Sequence, residues 1–146
     1  MNYIGVDPGR SGGVAVLTEG GAVVGAWPMP ETERDVYDLI KEFSDSSRAV
    51  IEYVRCRPGQ GAPGVFKFGW GYGGLRMALI PCAVPFVEVT PGKWQRAFSL
   101  TSSEKRTDTE KKNANKSRAQ ELFPGVRITH ALADALLIAE YARLAL

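Results

Sequence analysis

Read only for apolar and polar positions, the chain divides into a short series of elements. Residues 2–8, NYIGVDP, are a nearly unbroken apolar run that ends at Asp7, the pattern of a short buried strand. After the turn PGRSGG, the run GVAVLT at 13–18 resumes extended structure. Glu19, Gly20 and Gly21 then read as a hairpin turn into a third strand, AVVGAW at 22–27. Three strands joined by tight turns predict an antiparallel meander. From residue 32 the period changes: Val36, Leu39, Ile40 and Phe43 recur at helical spacing behind Thr32, a residue suited to cap a helix. The run RAVIEYV at 48–54 predicts a fourth strand, reached through that helix and therefore parallel to the first.

A Gly/Pro-rich loop follows over 55–64, RCRPGQGAPG, and then a helix over 65–80 that carries Gly69, Gly71, Gly73 and Gly74. Residues 85–89, PFVEV, predict a fifth strand, and TPGKWQRAF the start of a short helix. Another helix ends near Phe123, Pro124 and Gly125, and the last runs from His130 to the end. The pattern predicts a single α/β domain over residues 1–146. Its five-stranded mixed sheet has three antiparallel strands, then two parallel ones, flanked by helices. Each glycine inside a helix costs about 1 kcal/mol relative to alanine. Gly69 and Gly73, one turn apart, permit close approach of another backbone, either within the fold or across a dimer interface.

Composition narrows the class of protein. At 146 residues, 45% hydrophobic and 23% charged, the chain is the size of one globular domain with a real core. No apolar run approaches the ~20 residues of a membrane span. The start, MNYIGVDPG, lacks the basic and apolar regions of a secretory signal. Cys56 and Cys82 are too few for a disulfide framework or a zinc pattern, and read as free thiols of a reducing cytoplasm. Net charge is only +2, but residues 105–118, KRTDTEKKNANKSR, hold six basic and two acidic side chains. Such a segment points to a polyanion partner, with a solvated face as the plainer alternative.

Three carboxylates occupy awkward places. Asp7 ends a buried-looking run, Glu52 interrupts AVIEYV, and Asp134 lies in the apolar helix HALADALLIAEY. Each alone has a bland reading: a turn residue, an edge-strand residue, a first-turn residue favoured by the helix dipole. Together they suggest a cluster, because a carboxylate near a core must be paired, hydrogen-bonded or bound to a cation. His130, the only histidine, precedes Asp134 by four residues and so projects from nearly the same helix face. Oxygen donors with one nitrogen suit magnesium or manganese. Two such ions about 3.5–4 Å apart support phosphodiester hydrolysis.

The stretches IGVDPGRSGGVAV, AVIEYV, PGQGAPGVFKFGWGYGGLRMAL, VPFVEVTPGKWQRAF and LADALLIAEYA occur in the order seen in a known family. The chain resembles the RuvC-like Holliday-junction resolvases of bacteria and their phages, within the RNase H-like superfamily. The resemblance implies an RNase H-like fold, a homodimer, two magnesium or manganese ions, and paired nicks in four-way and other branched DNA. It implies a bacterial cytoplasmic setting, in the host or encoded by a phage. The family's four metal-binding, catalytic side chains fall on Asp7, Glu52, His130 and Asp134. His130 departs from the acid common among relatives, which should favour manganese over magnesium; it is either a ligand only or a general base as well. For DNA contact the candidates are Arg55 and Arg57 in the loop after Glu52, then Lys93, Trp94, Lys111, Lys112, Lys116 and Arg118. Phe66 or Phe68 is the candidate aromatic wedge. Two rival readings stand beside the nuclease: a junction-binding protein with a decayed metal site, and a nucleotide-binding domain of the actin or sugar-kinase type. The second needs two lobes, and the chain is long enough for one.

Overall fold

A computed structural model describes residues 1–56, 59–103 and 105–146. The first three strands, β1 (Asn2–Asp7), β2 (Gly13–Thr18) and β3 (Val23–Pro28), form the antiparallel meander, with a bulge where Leu17 pairs with Val23. Helix α1 (Glu33–Glu42) leads to β4 (Ser47–Glu52), and α2 (Ala62–Leu79) to β5 (Phe86–Val89). Both crossovers return parallel strands, giving the sheet order β3-β2-β1-β4-β5. Three helices complete the chain: α3 (Pro91–Ala97), α4 (Asp108–Leu122) and α5 (His130–Ala145). The mixed five-stranded sheet agrees with the pattern of apolar runs. Among the described residues no helix is long and apolar enough to cross a membrane, and both cysteines are free.

Strand alternation sorts the core into two layers. Ile4, Val6, Val14, Val16, Ala49 and Ile51 pack against Val36 and Ile40 of α1 and Leu75 and Leu79 of α2. Tyr3, Ala15, Leu17 and Val50, on the opposite face, pack against Trp94, Ala119 and the run 135–139 of α5. Helix α1 starts as expected at Thr32, whose hydroxyl accepts the Asp35 N–H. Helix α4 starts with a capping box between Thr107 and Glu110.

Several boundaries differ from the expected ones. Strand β3 begins at Val23, and β4 closes at Glu52, two residues early. Helix α2 begins at Ala62, within the expected loop, because Pro63 fits a first helical turn where its missing N–H is no loss. Most of the α2 glycines do not serve packing among the described residues. A Cβ added at Gly69, Gly71 or Gly73 would meet nothing within 4 Å. The same helix exposes Phe66, Trp70 and Met77.

Candidate active site

Two parallel strands bring the first pair of carboxylates together. The β1–β4 ladder closes with Val6 opposite Ile51, so the next residues, Asp7 and Glu52, finish neighbouring strands side by side. Both lie on the α5 face, two residues beyond Gly5 and Val50. Helix α5 reaches this end because the sheet surface under it is nearly bare backbone. A Cβ on Gly5 would stand 2.2 Å from the Ala139 amide nitrogen and 2.3 Å from the Ala135 carbonyl oxygen. One on Gly13 would stand 2.9 Å from the Ala131 carbonyl oxygen. These contacts seat the first turns of α5, and with them Asp134, against the ends of β1 and β2.

The electrostatics show the crowding. Burial pushes the Asp7 carboxyl up to about 8, with further upward pressure from Glu52 and Asp134 against a smaller opposing pull from Lys112. Glu52 is pushed up to about 7, chiefly by burial; the Trp94 hydrogen bond opposes this and Asp134 adds to it. Burial also raises Asp134, while Asn115, Lys112 and His130 pull it down. Among the described residues no ion pair reaches any of the three. Uncompensated, buried hard oxygens are the chemistry that a divalent cation satisfies. The donor set therefore fits magnesium or manganese. The arrangement is not closed around an ion, since no three His, Cys, Asp or Glu side chains among the described residues already form a metal-holding group.

Neutral donors hold the outer sides of these groups. The Trp94 indole N–H donates to Glu52 Oε2 at 2.6 Å, and Asn115 Nδ2 donates to Asp134 Oδ1 at 2.9 Å. His130 opens α5, exposed, with Nε2 at 3.0 Å from Asn113 Oδ1. It does not cap the helix; Thr129 holds that position.

The DNA-contact candidates scatter more widely. Arg55 is exposed just past β4, its guanidinium 5.7 Å from the Tyr53 ring centre. Arg57 lies outside the described residues. Lys93 is exposed on α3. On α4, Lys112 is exposed and its charge reaches Asp7 and Asp134. Lys116 is half-buried, while Lys111 pairs with Asp108 at 3.7 Å and Arg118 with Glu121 at 2.8 Å. Phe66 is 66% exposed and meets Trp70 edge-on. Phe68 stacks on Tyr72 beside the Gly9 turn and helps line a cleft of about 810 Å³ between that turn, the β3–α1 loop and α2. Trp94 corrects an expectation: it is fully buried and cannot stack on a base, because its indole is spent on the core and on Glu52.

No family model and no curated protein matches the chain by sequence. Among solved structures, Thermus thermophilus RuvC in complex with a Holliday junction substrate is similar over 99% of this chain and 97% of its own, with a TM-score of 0.73 and 18% identity. A second Thermus thermophilus RuvC structure is similar over 99% and 96%, with a TM-score of 0.70 and 19% identity. The chain has the RuvC fold. That is the RNase H-like architecture expected above, and at this identity the likeness is one of backbone.

Within the RuvC-like frame, sequence reasoning missed Gly5, Asn113, Asn115 and the inward role of Trp94. A glycine inside a strand is itself a sign of close backbone approach. Two asparagines in mid-helix, where their propensity is poor, signal side chains with partners elsewhere.

Proposed function

We propose that this chain is a divalent-metal-dependent endonuclease that resolves four-way and other branched DNA by paired nicks. The observation that carries this reading is the meeting of Asp7, Glu52 and Asp134, half-buried or buried and without an ion pair among the described residues, at one end of a sheet with the RuvC fold. The three carboxylates and His130 would hold the ions, which supply charge neutralisation at the scissile phosphate and an activated water. The chain's own cations provide the rest of the grip on the substrate. Arg55, Arg57, Lys93, Lys111, Lys112, Lys116 and Arg118 would neutralise strand phosphates, with Lys111 and Arg118 exchanging their present acidic partners for DNA. Exposure favours Phe66 over Phe68 as the wedge that stacks on an opened base.

The two-fold character of a four-way junction suits a symmetric pair of chains. The face of α2 that carries Trp70 and Met77, with Gly69 and Gly73 open beside them, supports a homodimer through that helix. A catalytically silent junction binder is the second reading, favoured by the engagement of the His130 ring nitrogen with Asn113.

One assay separates the two. A labelled four-way junction and a linear duplex of matched length are incubated with magnesium or manganese. Symmetric nicks in the junction alone are expected, abolished by Asp7→Asn or Glu52→Gln while junction binding persists. Binding without cleavage under either ion would establish the silent reading, and retained cleavage in either variant would remove that residue from the site.

A further inference from the structure

The TPGKW segment was expected to face DNA, yet its tryptophan turns inward. Trp94 has no exposed surface and sits on α3, whose start follows directly from β5. The Tyr53 N–H bonds the Val89 carbonyl at 2.8 Å, locking the end of β4 to the strand that leads into α3. The indole is therefore held at a fixed place relative to Glu52. It donates to Oε2 and leaves Oε1 without a protein donor among the described residues. Asn115 repeats the arrangement from α4: it is 5% exposed, donates to Asp134 Oδ1, and leaves Oδ2 without a protein donor among the described residues.

Two features of these contacts leave the carboxylates able to bind a cation. A charged partner would neutralise a carboxylate, and donors on both oxygens would close it. Here both donors are uncharged, and each bonds one oxygen. The carboxylate keeps one oxygen open to a cation but loses freedom about its terminal torsion, which is otherwise broad. The donors also come from two different helices and converge on two different ligands.

We propose that Trp94 and Asn115 are positioning residues, neutral donors that orient Glu52 and Asp134 so that one oxygen of each stays available to a divalent cation. This rests on the metal-dependent reading above. Partners in this outer layer commonly contribute 10–100-fold to metal affinity.

The test uses the full chain and manganese alone, titrated calorimetrically without DNA. Trp94→Phe keeps an aromatic ring and deletes the donor; Asn115→Leu keeps volume and deletes the other. Each is expected to weaken manganese binding by about 10-fold or more, while four-way junction binding in chelator stays at the wild-type level. Folded variants with wild-type manganese affinity would overturn the positioning role and leave the nuclease reading intact. A wild-type chain that binds no manganese would overturn both.

A measurement on the unmutated chain guards against a variant that does not fold. The Trp94 indole N–H resonance should shift as magnesium is added, and should not shift in Glu52→Gln. An indole resonance indifferent to a magnesium ion that calorimetry shows to bind would also overturn the proposal.

Discussion

Replacing Asp7 by asparagine should make the metal-free protein more stable, and only at neutral to alkaline pH. The folded Asp7 carboxyl sits at about 8, against an ordinary value of 3.8. Between those values the folded state holds a proton that the unfolded chain has released. Stability therefore falls as pH rises through this window, is unpenalised below pH 4 and bears the full penalty above pH 8. One proton of difference changes stability by about 1.4 kcal/mol per pH unit, so from pH 5 to pH 8 the wild type loses roughly 4 kcal/mol at this one group. Asparagine has the same shape and cannot ionise. The two proteins should melt closest together near pH 4, and the variant's advantage should grow by about 2–4 kcal/mol between pH 5 and pH 8, where Glu52 still titrates in both. For a chain of this size that is a difference of roughly 5–15 °C in Tm. The assay is thermal or urea unfolding in chelator, followed by circular dichroism, at four or five pH values. Parallel stability profiles for the two proteins across pH 5–8 would refute the claim that Asp7 is buried without compensation.

Three further expectations concern other parts of the molecule. Gly5→Ala places a methyl 2.2 Å from the backbone of α5, so unfolding measurements should show a loss of about 3 kcal/mol or more together with loss of cleavage. His130→Asp should restore a hard anionic donor and move the preference in the junction assay from manganese toward magnesium; complete loss of cleavage would instead assign the imidazole a part in proton transfer. Trp70→Glu puts a charge in the centre of the exposed α2 face, and light scattering should then read a monomer where the wild type is expected to read a dimer.

The sheet was legible because alternation and apolar runs are local properties of the chain. Asp7 and Glu52 stood out for the same reason, as polar interruptions in strands that are otherwise apolar. What could not be read depends on contacts between distant segments. Trp94 and Glu52 are 42 residues apart, and nothing in TPGKW says whether its indole meets a base or a carboxylate. Both Lys93 and Trp94 were candidates for DNA contact, but they are consecutive residues of one helix, and only Lys93 is exposed. The start of α2 was hidden by the opposite effect. Gly61, Ala62, Pro63 and Gly64 carry loop composition, and the proline that suggested a break lies in the first turn of the helix.

Under the proposed nuclease reading, helix α4 would have two duties that cannot be performed independently. It carries Lys111, Lys112 and Arg118 together with Asn115, which bonds Asp134, and Asn113, which meets His130. A fifteen-residue helix is stiff on the scale of one hydrogen bond, so a strand that pulls on the lysines moves the asparagines with them. Grip and chemistry would in this way be mechanically geared. Charge-removing substitutions on this helix should therefore lower turnover on bound substrate as well as affinity, whereas the same change at Lys93, on a separate helix, should lower affinity alone.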